Sequence, residues 1–307
     1  MKKIVLLLTA LCLALAIGLF AAPAAAGPPE QMAVVPPEAQ WALFIDVQKL
    51  MTSSTFKSLG GEGELAKIQG KTDPFFAKLR IDPKKDLKGV TVFGLGKGDE
   101  EAVVALAGRF DKAHLISLVK AETTHQEIPF GKYTIYNWDD DEFGVFAADD
   151  LIILGENEKA IKAALETLEG RSRDSVPPLL SRIMKDSPNA LIVFGVNNVP
   201  GLIGEHDSPV ILSKMKGAEG SIGESGENLK LDVSILAESA QVAQDVEQAI
   251  RGLMAIANLQ LKESEAQAFI SAVQLAVEGQ NVRIKASYPL SKLLGLVERK
   301  TKDLSFF

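Results

Sequence analysis

The sequence predicts an α+β fold of two similar halves, each mainly antiparallel sheet with helices packed on one face. Three observations carry that expectation. Short apolar runs with period-two alternation come in pairs joined by turn residues, which marks hairpins. Between the pairs lie segments whose apolar residues recur at helical spacing. The order strand, helix, hairpin, helix, hairpin, helix stands once before the polar stretch "RSRDSVPP" (171–178) and again after it.

The chain opens with Lys2 and Lys3, then an almost wholly apolar run from residue 4 to residue 20. "AAPAAAG" (21–27) places small residues at the −3 and −1 positions of a cut after Ala26. This is the pattern of a secretory signal peptide over 1–26, and the apolar run, about 17 residues, is short for a retained membrane span. Cys12 follows the bulky Leu11, which suits lipid-directed cleavage badly. The expected product is an exported, soluble protein of the periplasm or the extracellular space, with no transmembrane segment once the signal is removed.

Cys12 is the only cysteine, so the mature chain has no disulfide and must be held by its core. With 47% hydrophobic residues it has the means for one large or two medium domains. The net charge is −7, and loss of Lys2 and Lys3 makes it more negative. Nucleic acid and anionic lipid headgroups, which need a basic footprint, are disfavoured as partners.

The proline-rich lead-in "GPPEQMAVVPPEAQ" (27–40) is expected to be extended rather than packed. The first α+β unit covers 41–170. "WALFIDV" (41–47) reads as a buried strand, and "DPFFAKLRIDP" (73–83) as a short helix closed by Pro83. "GVTVFGLG" and "EAVVALAG" form a hairpin across "KGDE". Asp111 is placed to cap a helix over 112–122, with Leu115, Leu118 and Val119 on one face. After "IPFGK" (128–132) come the strands "YTIYNW", "FGVFAA" and "LIILG". The helix "ENEKAIKAALETLEG" (156–170) follows, with an apolar stripe and Gly170 as its C-cap.

A linker is expected over 171–188 and a second α+β unit over 189–307. "NALIVFGV" (189–196) repeats the type of the first strand, and two strands meet around Gly226-Glu227. Residues 238–257 form the clearest helix, with Val242, Ala243, Val246, Ala249, Ile250, Leu253 and Met254 at helical spacing. The last hairpin turns at Gly279-Gln280, where glycine in the first central position suits a type II′ turn. "PLSKLLGLVER" is expected as a closing helix begun by Pro289.

The one concentrated candidate site is "WDDDEF" (138–143). Calcium loops space their oxygen ligands at alternating positions, whereas these acids are contiguous. On extended chain Asp139 and Asp141 can converge on one cation, but Asp140 points away. Trp138 and Phe143 could serve as a partner-facing tip. The preferred reading of the stretch is a solvated hairpin turn, which leaves no metal site committed.

Of the histidines, His114 lies in a helix, His125 in a polar loop, and His206 between Glu205 and Asp207, with no short regular spacing for zinc. A thiol nucleophile is absent from the mature chain, and "GSIG" (220–223) lacks nucleophile-elbow spacing. "GLGKG" (94–98) joins strand to strand, not strand to helix, so it is not a phosphate loop. No motif asks for a cofactor. The expectation is a non-catalytic envelope or periplasmic protein that binds an unknown protein or apolar ligand on exposed sheet or between the halves. The alternatives are a carrier of a lipid or other apolar molecule and, third, a hydrolase without a recognisable motif.

Overall fold

The computed structural model describes residues 30–58, 76–96, 102–139, 141–170, 178–197, 199, 213–260 and 264–293. The signal-peptide reading, residues 171–177 of the expected linker and His206 lie outside them, while 178–186 of that linker form a helix. The fold is α+β and dominated by antiparallel pairing, as the hairpin signals require. The chain divides into two compact units, Met1–Phe194 and Gly195–Phe307.

In the first unit the strands are β1 (Trp41–Ile45), β2 (Leu87–Gly94), β3 (Ala102–Gly108), β4 (Gln126–Phe130), β5 (Tyr133–Asp139), β6 (Glu142–Ala148), β7 (Leu151–Gly155) and the start of β8 (Ala190–Val196). Their order is β8-β1-β2-β3-β7-β6-β5-β4. Register sets one continuous apolar row across the sheet: Ala105 opposite Ile153, Ile153 opposite Val145, Val145 opposite Ile135.

Helix α5 (Glu158–Glu169) lays Ala160, Ile161, Ala164 and Leu165 on this core. Asn157 accepts from the backbone of Lys159 at 2.9 Å, the N-cap that starts the helix where the sequence placed it. Helix α6 (Pro178–Asp186) adds Leu180 and Ile183. Each such side chain, once buried, contributes about 1.5–3 kcal/mol for the larger aliphatics. Helix α4 (Lys112–Lys120) is capped by Asp111, which accepts from the His114 N–H at 3.0 Å. Helices α1 (Val47–Thr52) and α3 (Pro83–Asp86) pack against β2, and α2 (Ser54–Ser58) follows α1.

Several local expectations are corrected. Residues 31–35 are buried, with Met32, Val34 and Val35 in the core, so the proline-rich lead-in is a packed segment. It is tied down by the Gln40 N–H donating to the Gly94 carbonyl at 2.9 Å. Pro83 opens α3 behind the cap Asp82 rather than ending a helix, since proline suits the first turn. Residues 126–130, not anticipated as a strand, form β4 at the sheet edge, where Pro129 needs no ladder donor. β3 is buried at every position, so the central strands are covered on both faces instead of one.

In the second unit β9 (Met215–Ser225), β10 (Asn228–Ala237), β11 (Val273–Glu278) and β12 (Asn281–Pro289) are ordered β11-β12-β10-β9. The end of β8 lies beside β9, with the Val196 carbonyl against Gly217. The β11–β12 turn has Gly279 at φ +62°, while Gln280 is not among the residues of positive φ, as a type II′ turn demands. Here the expected two-faced sheet holds. One face gives Ile235, Val282 and Val277 to the core, and the other carries Lys230, Asp232, Arg283 and Lys285. β12 runs through Pro289, and residues 290–293 begin a helix.

The two units differ in their strand content. Four strands, β4 to β7, follow α4 in the first unit, where two follow the long helix of the second.

Candidate partner-docking surface

The long helix of the second unit, α7 (Ala240–Gln260), changes character along its length. Ser239 starts it, accepting from the Val242 N–H at 3.2 Å through its hydroxyl. Val242, Ala243, Val246 and Ile250 then pack on the core with Ala237, Ile235, Val277 and Val282. The outer side of this half is charged and polar. Gln241 donates to Asp245 at 3.1 Å, and Arg251 pairs with Glu247 one turn before it.

Beyond Arg251 the pattern stops. Residues 252–260 read "GLMAIANLQ" and contain no charge. Leu253 is 67% exposed, Ile256 54% and Leu259 88%. At about 100° per residue these three fall within an arc of roughly 120°: Leu253 continues the line of Val246, and Ile256 and Leu259 turn progressively away from the buried stripe. A helix apolar on all sides is normally covered on all sides, and an exposed apolar patch of this kind marks an interaction site. Fully covering these side chains would add about 1–2 kcal/mol each, scaled from the usual burial value. No described helix is long and apolar enough to cross a membrane.

The sequence-level candidates fall elsewhere. Trp138 and Phe143 are not brought together. Phe143 stands opposite Asn137 and packs against the first unit's core, so Trp138, one residue on, projects to the other face. There its ring lies over Gly144, and its indole donates to the Glu142 carboxylate. The Trp138 carbonyl accepts from the Thr124 hydroxyl at 3.1 Å.

The Asp139 carbonyl accepts from Asn137 Nδ2 at 2.6 Å, Asp141 is exposed, and Asp140 lies outside the described residues. Among the described residues no group of three or more His, Cys, Asp or Glu side chains is placed to hold a metal. Burial raises the Glu142 carboxyl above its usual range. The Trp138 hydrogen bond opposes that rise, and the nearby Asp139 and Glu156 charges add to it.

The described histidines serve locally. His114 Nε2 donates to the Lys78 carbonyl at 2.7 Å, and His125 Nδ1 to the Glu122 carbonyl at 2.9 Å. "GSIG" lies within β9, as expected of a strand.

Sequence reasoning grouped Leu253 with the apolar residues at helical spacing and gave no role to Ile256 or Leu259 beyond the helix. The available signal was the uncharged stretch 252–260 itself, which is longer than one buried face requires.

No protein-family model matches the chain, and no curated protein matches it. Solved structures of TP0453 are similar to it. Crystal form III gives a TM-score of 0.47 at 12% identity over 89% of this chain and 99% of that one. Form I gives 0.45 at 13% over 89% and 97%, and form IV 0.48 at 12% over 89% and 97%.

Proposed function

We propose that this chain is a non-catalytic exported protein of the bacterial envelope or periplasm that docks a partner on the apolar C-terminal half of α7. The observation that carries the reading is the exposure of Leu253, Ile256 and Leu259 on a nine-residue stretch with no charge. An aqueous protein gains nothing from such a surface on its own, while a partner that covers it removes apolar area from water. The signal-peptide pattern of residues 1–26 supports export.

The alternative of a carrier for an apolar molecule finds less support. The central strands β2 and β3, around which a cargo would sit, have side chains packed on both faces. A hydrolase, the third reading, has no recognisable motif in the sequence to support it.

The test is a photo-cross-linking pair in the producing cell. Benzoylphenylalanine replaces Ile256 in one strain and Gln244, on the polar side of the same helix, in another. The reading expects a discrete adduct at 256 and none at 244. Adducts at neither position, or equally at both, would contradict it.

A further inference from the structure

The exposed stretch of α7 has an internal order that a merely greasy surface lacks. Ala249, Gly252, Ile256 and Leu259 are spaced three, four and three residues apart, the a and d positions of a heptad seam. Ala249 and Gly252 are exposed, as are Ile256 and Leu259. A Cβ placed on Gly252 would meet nothing within 4 Å, so a notch opens there on the outer surface. The seam therefore runs small, small, large, large along roughly 15 Å of helix.

Such a seam is complementary to itself in one direction only. If a second α7 crosses antiparallel, centred level with Met254, each layer pairs an a position with a d position of the other helix. Ala249 meets Leu259 and Gly252 meets Ile256, and each layer occurs twice by two-fold symmetry. Every layer then holds one small and one large side chain, which is how facing helices interdigitate without voids. A parallel pairing would set Gly252 against Gly252 and Leu259 against Leu259.

Charge leaves the seam itself open to a like partner. The chain is net −7, so two copies repel at long range, yet residues 252–260 bring no charge to the seam itself. An anionic bilayer would want lysine and arginine along the rim, where the described helix offers only Arg251, already paired with Glu247.

We infer that the partner is a second copy of this chain, joined through an antiparallel α7–α7 seam. The proposal rests on the reading of α7 as a docking surface and names its occupant. The contact is a single helix pair with two-fold symmetry, small beside standard interfaces, and so works at high local concentration.

Sedimentation equilibrium on the exported protein, up to about 100 μM, tests it, with a weak symmetric dimer expected in that range. Two variants separate a built seam from general stickiness. Ile256→Asp, at an exposed position, raises the dissociation constant at least about tenfold. Gly252→Leu fills the notch: a seam loses at least about tenfold, whereas a sticky surface, now larger and a better helix, would bind tighter.

A monomer throughout the range, a dimer untouched by Ile256→Asp, or tighter association of Gly252→Leu would each overturn the proposal. Its failure is separable from that of the broader reading. An adduct of benzoylphenylalanine 256 with a different protein, beside a monomeric chain, removes the second copy and keeps the docking surface. No adduct at all removes both.

Discussion

Arg283 and Asp232 meet in a two-pronged ion pair, Nε to Oδ1 at 3.0 Å and Nη2 to Oδ2 at 2.8 Å, across the β10–β12 ladder. Their side chains are 25% and 16% exposed, and Lys285 stands 3.5 Å from the same carboxylate. Planar guanidinium on planar carboxylate is the favourable geometry for such pairs, and partial burial lessens solvent screening. Removing the arginine leaves Asp232 partly buried with only the longer lysine contact. Arg283→Ala should therefore lower unfolding stability by about 1–2 kcal/mol, between the values for exposed and buried pairs. Urea unfolding of the variant checks this. An unchanged midpoint would show that water, not Arg283, holds the carboxylate.

Glu142 gives a prediction in pH. Its carboxyl is raised first by burial, against the pull of the Trp138 indole. An acid with a higher pKa in the fold than in the unfolded chain binds more protons when folded. Stability is therefore gained as pH falls through that window and lost as pH rises through it, starting from the ordinary value of 4.5. Glu142→Gln keeps an acceptor for the indole and removes the ionisation. Thermal melts across mildly acidic pH should show a smaller decline toward neutrality in the variant than in the native chain. Parallel curves would contradict the assignment.

Packing of the lead-in segment can be read at Gly89. A Cβ there would sit 2.1 Å from Gln31 Nε2 and 3.2 Å from the Ile45 carbonyl oxygen. Gly89→Ala should destabilise by about 1–2 kcal/mol, as overpacking does. In a Gln31→Ala background the same change should cost clearly less, because the clashing group is gone. Strict additivity of the two substitutions would mean that residues 30–35 do not lie on the sheet in solution.

Calcium should leave the melting temperature within about 1 °C of its metal-free value, since a site saturated at a hundred times its Kd would add about 2.7 kcal/mol. Asp139 and Asp141 border a hairpin turn, and among the described residues no group of three or more acids, cysteines or histidines is placed to hold a metal. A large calcium-dependent rise that disappears in Asp139→Asn with Asp141→Asn would establish a metal site at that tip.

What the sequence made legible follows from which forces are local. The β2 and β3 runs, the Asn157 and Asp111 caps, and the Gly279 turn depend on near neighbours and were readable directly. β4 was hidden by Pro129, because only the edge of a sheet tolerates a residue without an N–H, and edge position is a property of the whole sheet. The packed lead-in was hidden for a similar reason: prolines describe chain stiffness, not what the chain rests on. Trp138 and Phe143 sit close together in the sequence, yet strand alternation and the hairpin register send them to opposite faces. Leu253 is the most instructive residue. Helical spacing correctly grouped it with apolar neighbours, but periodicity says which residues share a side and not whether anything covers it.

The central claim, that a partner covers the end of α7, is tested most directly by carbene footprinting of Leu253, Ile256 and Leu259 in two settings. In dilute purified protein all three should label heavily, as their 67%, 54% and 88% exposure requires. In the intact producing cell the same three should be protected several-fold relative to exposed residues of α5 such as Glu166. Equal labelling in both settings would mean that α7 stays bare where the protein works, and the docking account would be wrong.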